Sequence, residues 1–296
     1  LMLGNHIPKG WPAKRIAEQI SSRQKSRKKL PEWYAHDELI FPPPLSVEQC
    51  SSELLAKHKA GISSGDLLLD VTGGFGVDAA YMSASFNKVI CVEQNEKLCE
   101  LARYNLQVLG LHHIEVVQAD ASFFLENFQE KADLIYADPS RRGKNGERIQ
   151  ALSEGKPDLK KLLPLMRQKS HEILIKAAPM VDVNESLRLL EDFKEVQILE
   201  RDAEVREILF RYPGSDSLSL DVYRYKSSRL VSHHHFEPDR EKTMPTEEAD
   251  IRTYLYDPSA GIRKSGMFRQ VSESFDLPKV GRNTHLYTSD IILEHF

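Results

Sequence analysis

Leu67-Leu68-Leu69-Asp70-Val71-Thr72-Gly73-Gly74-Phe75-Gly76 is the stretch that decides how the chain is read. Three leucines and a valine without polar alternation suit a parallel strand covered on both faces. The glycines that follow let the backbone turn tightly and approach a ligand with no Cβ in the way. Val77 to Met82 then starts a helix, whose first amides would point at whatever sits on the turn. Strand, glycine turn and helix together imply a nucleotide-type cofactor site.

Outward from this stretch, strands alternate with helices in the manner of a parallel sheet with helices on both faces. Lys88 to Glu93 reads as a second strand, Glu96 to Leu109 as a helix, and Ile114 to Val117 as a third strand running out at Gln118-Ala119-Asp120. A helix through Phe123 to Phe128 leads to a fourth strand, Ala132 to Asp138, which ends on Pro139. Lys160 to Gln168 is helical, Glu172 to Lys176 a fifth strand, and Val183 to Leu190 another helix. Glu195 to Glu200 and Val205 to Tyr212 are separated by only a short turn, so they form an antiparallel hairpin.

Composition bounds the class. With 296 residues the chain can bury a substantial core. Its 40 basic and 44 acidic residues leave a net charge of −4, which rules out a global electrostatic commitment to nucleic acid. Three cysteines, none in a C-x-x-C pair, argue against a disulfide scaffold or a zinc knuckle and fit a reducing cytosol. No apolar run is long enough to span a bilayer and no signal-peptide pattern opens the chain, so a cytoplasmic location is expected. Because Leu1 precedes Met2 and the chain stops near the apolar run Ile291-Ile292-Leu293, both ends are expected to be cut from a longer protein.

The flanks carry weaker signals. From Pro12 to about Leu30 the pattern is helical and ends in the basic run Arg23 to Lys29, either a solvated face or a phosphate-binding patch. Phe41-Pro42-Pro43-Pro44 is a stiff linker. Ser46 to Lys59 reads as one helix, with Ser46 as N-cap and Gln49 at capping-box spacing. Beyond Gly214, Ser217 to Tyr225 alternates like a strand. His233-His234-His235 is not expected to bind metal, because adjacent residues of an extended chain point in opposite directions. Pro238 to Asp250 is a charged linker or short helix, and Gly261 to Phe275 a helix. The division expected is a helical, basic segment over 1–45, the main domain over 46–214, a strand-containing connector over 215–250, and a small α+β module over 251–296.

Acidic residues recur at strand ends, where ligands of open α/β sheets bind. Asp70 adjoins the glycine turn, Glu93 stands where a carboxylate takes two ribose hydroxyls, and Asp120 can accept from an adenine amino group. Singly, each is as well read as a helix N-cap or a solvated turn residue. Gly74-Phe75-Gly76-Val77-Asp78-Ala79 also matches the dinucleotide pattern G-x-G-x-x-A. A dinucleotide fold continues with a second mononucleotide half, however, and none follows Lys176. The strand-four end Asp138-Pro139-Ser140-Arg141-Arg142 and the closing hairpin favour S-adenosylmethionine instead.

On these motifs Leu67 to Tyr212 resembles a class I S-adenosylmethionine-dependent methyltransferase. The resemblance implies a doubly wound, mostly parallel seven-stranded sheet with its last strand antiparallel. Ser46 to Glu53, Asp138 to Arg142, Tyr254-Leu255-Tyr256-Asp257-Pro258 and Leu286-Tyr287-Thr288-Ser289-Asp290 further resemble bacterial methyltransferases with a C-terminal THUMP-like domain, here cut short. A more distant likeness, in the sheet and its motifs, is to trimethylguanosine synthase. What the resemblance implies is a cofactor set of Asp70, Thr72, Gly73, Gly74, Gly76, Glu93, Asp120 and Ala121, and a catalytic set of Asp138, Pro139 and Arg141, with no metal. Amino-methyltransferases of this kind carry a second proline and an aromatic after the first; here Ser140 and Arg141 stand there. The Arg141 to Pro157 loop is expected to be mobile and substrate-facing, its arginines either meeting a phosphate or pairing with nearby acids.

The expected function is methylation of an RNA nucleotide, with a base nitrogen as the favoured acceptor. A non-catalytic RNA-binding protein on the same scaffold, or a small-molecule or protein methyltransferase, are the competing classes. RNA, tRNA or rRNA, is the expected partner.

Overall fold

The computed structural model describes residues 12–140, 151–214 and 216–293. Along the chain run α1 (Ala13–Lys29), α2 (Pro31–Ala35), α3 (Pro44–Gln49), α4 (Glu53–Ala60), β1 (Gly65–Asp70), α5 (Val77–Met82), β2 (Phe86–Glu93), α6 (Glu96–Val108), β3 (Ile114–Gln118), α7 (Ala121–Asn127) and β4 (Ala132–Ala137). There follow α8 (Leu159–Lys169), β5 (Ser170–Ala177), α9 (Val183–Leu189), β6 (Glu195–Arg201), β7 (Glu204–Tyr212), β8 (Ser219–Lys226), β9 (Arg229–Phe236), α10 (Pro238–Thr243), β10 (Tyr254–Tyr256), α11 (Ala260–Ser265), α12 (Phe268–Phe275) and β11 (Tyr287–Ser289). By compactness the chain divides into Leu1–Ala137 with Lys161–His171, and Asp138–Lys160 with Glu172–Phe296. The fold is mixed α/β.

In the first unit β1 lies between β2 and β4, β3 lies outside β2, and every pairing is parallel. Leu68 and Leu69 are fully buried although their side chains leave opposite faces of β1, as a strand with helices on both sides requires. Val89 and Ile90 on β2, and Leu134 and Ile135 on β4, continue that core. The single helix expected over Ser46 to Lys59 is instead two, α3 and α4. Pro44 opens α3 at its first turn, so Ser46 lies inside the helix, and the chain is extended at Cys50 and Ser52 before α4 begins.

In the second unit β7 is antiparallel to both β5 and β6. The β6–β7 turn is Asp202-Ala203 with φ of 52° and 62°, the primed two-residue geometry that matches strand twist. The sheet does not stop there. β8 pairs parallel to β6 and β9 antiparallel to β8, so the strands expected in a connector extend the sheet. The helix expected over Gly261 to Phe275 is broken into α11 and α12 at Gly266, whose φ is +75°. β10 and β11 form a small antiparallel pair. Among the described residues no helix is long and apolar enough to cross a membrane.

Candidate active site

The glycine turn is built by backbone bonds from the two strands beside it. Val71 N donates to Tyr136 O of β4 at 3.0 Å, and Gly73 N to Val92 O of β2 at 2.8 Å. Gly73 is pressed against β2, and a Cβ there would overlap Cys91 Sγ. Gly74 (φ +56°) is the opposite case, with nothing within 4 Å of a built Cβ. Gly76 (φ +88°) stands in the left-handed region at the entrance to α5, where any other residue would be strained.

Asp70, Glu93 and Asp120, the acids singled out at strand ends, are each engaged with backbone. Asp70 is buried, and its Oδ1 accepts from Thr72 N at 3.0 Å and Thr72 Oγ1 at 3.3 Å. Glu93 accepts from Gly74 N through Oε2 at 3.0 Å and from Asn95 N through Oε1 at 2.8 Å. One carboxylate thus couples the turn after β1 to the start of α6. Asp120 is the N-cap of α7, its Oδ1 accepting from Ser122 N at 2.9 Å and Phe123 N at 3.1 Å. The cap role, weighed in the sequence against ligand binding, is therefore real, and Asp120 remains exposed. Ala121 beside it is buried. Burial, then the charges of Asp70 and Glu93, push the Cys91 thiol far above its usual range, so it behaves as an apolar side chain under the turn.

Beneath the turn lies a polar group that the sequence reading missed. Lys59 of α4 is fully buried, with Nζ 3.1 Å from Asp78 Oδ1 and 2.9 Å from Ser51 Oγ. Asp78, in the first turn of α5, also receives Ser51 Oγ at 2.8 Å and Tyr136 OH at 2.9 Å on Oδ2. Trp33 of α2 meets Phe75 of the turn edge-on, ring centroids 5.7 Å apart. Through that contact the N-terminal helical segment packs on the glycine turn. Its basic run is split between roles: Arg23 donates to Tyr34 O and Asp37, Lys25 pairs with Glu48, and Lys29 donates to Glu48 O, while Arg27 and Lys28 are exposed.

In the second unit the loop expected to carry the catalytic residues starts at Asp138, the residue after β4. Pro139 is buried, and Ser140 N donates to Lys156 O at 2.6 Å. Gly155 lies so close that a Cβ would come within 2.8 Å of Pro139 Cβ. Asp138 Oδ2 is bonded by the ammonium of Lys176, a fully buried side chain on β5. A charged residue closing the apolar run Ile173-Leu174-Ile175 was the available signal for Lys176. Of the loop expected to be mobile, residues 151–157 include a short 3-10 turn, Leu152–Glu154. Arg141 and Arg142, with Lys144 and Arg148, lie outside the described residues.

His233 and His235 converge on Asp221 Oδ1 at 2.7 and 3.0 Å, while His234 points to the other face, between Phe236 and Phe275. Among the described residues no group of His, Cys, Asp and Glu is arranged to hold a metal ion.

Comparison with known proteins agrees with this fold. Residues 65–178 match the family described as RNA cap guanine-N2 methyltransferase, and residues 254–296 match a ferredoxin-like domain. The structure of a putative methyltransferase from Porphyromonas gingivalis W83 superposes with a TM-score of 0.86 at 28% identity, over 100% of this chain and 75% of that one. The fold is that of S-adenosylmethionine-dependent methyltransferases. An uncharacterized RNA methyltransferase of Thermotoga maritima is 25% identical over 122 residues, 39% of this chain and 28% of that relative. A ubiquinone/menaquinone biosynthesis C-methyltransferase of Francisella philomiragia is 28% identical over 189 residues, 56% of this chain and 68% of the relative. The chain therefore spans well under half of the Thermotoga relative, and its relatives bear names with different substrates.

The residues present fit the methyltransferase cofactor. Gly74 offers open space over bare backbone. The Glu93 carboxylate is held by two amides beside the turn, each oxygen keeping a lone pair for a hydroxyl. Asp120 is exposed at the end of β3.

Proposed function

We propose that the protein methylates a base nitrogen of an RNA nucleotide, using S-adenosylmethionine. The observation that carries this reading is the Asp138-Pro139 strand end, buried and braced at the proline, within a segment that matches the RNA cap guanine-N2 methyltransferase family. When bound, the cofactor supplies a sulfonium methyl that is already an activated electrophile. Asp70, Thr72 and the amides around Gly73, Gly74 and Gly76 hold its methionine end. Glu93 takes the ribose hydroxyls, and Asp120 with Ala121 the adenine. Asp138 and the Pro139 carbonyl accept N–H bonds of the acceptor, orient its lone pair and raise its electron density.

Ser140 and Arg141 occupy the places where amino-methyltransferases carry proline and an aromatic. Stacking of the target base then falls to an arginine plane or to none, and the arginines suit a phosphate of the RNA. The C-terminal module acts as a THUMP-like RNA recruiter in this reading.

The test is mass spectrometry of modified nucleosides from cells with and without the protein, joined to transfer from labelled S-adenosylmethionine in vitro. One methylated nucleoside should be missing, and Asp138→Ala should keep cofactor binding while losing transfer. Label entering only protein or small molecules would remove the RNA assignment. RNA binding indifferent to cofactor, with no label in any pool, would favour a non-catalytic binding protein.

A further inference from the structure

Lys176 is a buried charge that the chemistry so far leaves without a purpose. Its side chain is fully buried, on β5, opposite Leu209 of β7, and Ile175 and Ile208 beside it are equally buried. Its Nζ bonds Asp138 Oδ2, and the Asp138 side chain is 22% exposed. Stability does not explain the pair. Two charges taken out of water recover at best what their attraction returns, and an apolar side chain of the same length commonly does as well.

What the pair does achieve is orientation. The backbone around Asp138 is held by the Ser140–Lys156 bond and by Gly155 against Pro139. A carboxylate on a fixed backbone still rotates, and an ammonium seated behind one oxygen removes that freedom. The exposed edge of the carboxylate is then presented in one attitude.

We propose that Lys176 is a positioning residue for methyl transfer: its ammonium fixes the Asp138 carboxylate as an aligned hydrogen-bond acceptor for the substrate. The proposal rests on the reading of Asp138 as the residue facing the acceptor. It goes beyond that reading in placing part of the rate on a side chain that itself touches neither substrate nor cofactor.

The experiment compares the unsubstituted protein, Lys176→Met, Lys176→Arg, Asp138→Asn and the Asp138→Asn/Lys176→Met double variant. Labelled S-adenosylmethionine is added to extract from cells lacking the protein, and label is counted separately in RNA, protein and small molecules. Melting temperature and S-adenosylhomocysteine affinity are measured for each variant. Lys176→Met is expected to slow turnover by about 100-fold, the order lost when a reacting group is misaligned, with apparent KM changed by less than about threefold. Lys176→Arg restores most of that loss, because it returns a cation to the same carboxylate. The double variant is no slower than Asp138→Asn alone, because Lys176 acts only through Asp138. Transfer by Lys176→Met at the unsubstituted rate overturns the proposal. So does a double variant much slower than Asp138→Asn, or a Lys176→Arg protein that melts normally yet stays as slow as Lys176→Met. Label in protein or small molecules in place of RNA counts against the RNA reading, and the ranking of the variants still decides the role of Lys176.

Discussion

Glu93→Ala separates cofactor recognition from simple folding. In the structure the carboxylate accepts from Gly74 N at 3.0 Å and from Asn95 N at 2.8 Å. Alanine removes both acceptors, but Glu93 is partly exposed, so water can replace them. Each charge-assisted bond is worth about 1.5–3 kcal/mol when dry, and with solvent access the loss of folding stability should total only about 1–2 kcal/mol. Binding suffers more. On the proposed ribose assignment the variant loses hydrogen bonds to two hydroxyls, together with the bond that holds Gly74 in its turn. About 3 kcal/mol for these together corresponds to roughly 150-fold weaker binding. Glu93→Gln keeps one carbonyl oxygen and should fall between, near tenfold, about 1.4 kcal/mol. Isothermal calorimetry with S-adenosylhomocysteine gives the affinities, and thermal unfolding without ligand gives the stability term. Binding by Glu93→Ala within about threefold of the unsubstituted protein would refute the ribose assignment. Tight binding of NAD with none of S-adenosylmethionine would refute the cofactor itself.

Three further outcomes are expected. Lys59→Met removes the buried ammonium beside Asp78 and should cost about 3 kcal/mol, whereas Lys59→Met with Asp78→Leu should cost less than the sum of the two single changes, as read by urea unfolding. Gly73→Ala drives a methyl into Cys91 Sγ and should destabilise by about 2 kcal/mol, an effect that a Cys91→Ala background relieves; no relief would place the clash elsewhere. Burial, then Arg224 and His233, hold the His234 imidazole below its usual value, so the unfolded chain takes up protons first as pH falls. Stability linked to His234 is thus present above the ordinary imidazole range and is lost on acidification through it. The drop in melting temperature between pH 7 and pH 5.5 should shrink in His234→Phe, and an unchanged drop would exclude this linkage.

Much of the candidate site was legible because its residues sit at strand ends, where chain position alone implies place. The burial of Leu67 to Leu69 follows from an apolar run with no alternation, and Gly74 and Gly76 from a turn that needs positive φ. The N-cap at Asp120 was weighed beside its ligand role, and the structure shows the cap. Other features were not legible. Ser46 resembles an N-cap by spacing, yet Pro44 starts the helix two residues earlier. Ser217 to Tyr225 reads as a strand of a connector, because nothing local reveals that β8 pairs with the edge of β6.

By itself the sequence determined the alternation of strand and helix, the glycine turn and the order of the strand-end acids, since these depend on local periodicity and on what glycine and proline allow. Only the tertiary structure decided which carboxylates are paired with what. Lys59 with Asp78 lies 19 positions apart and Lys176 with Asp138 lies 38 apart, and no local rule joins residues at such separations. Burial of each lysine demands a partner, because an ammonium out of water must be paired. Which partner is settled by the packing of the strands and helices around it.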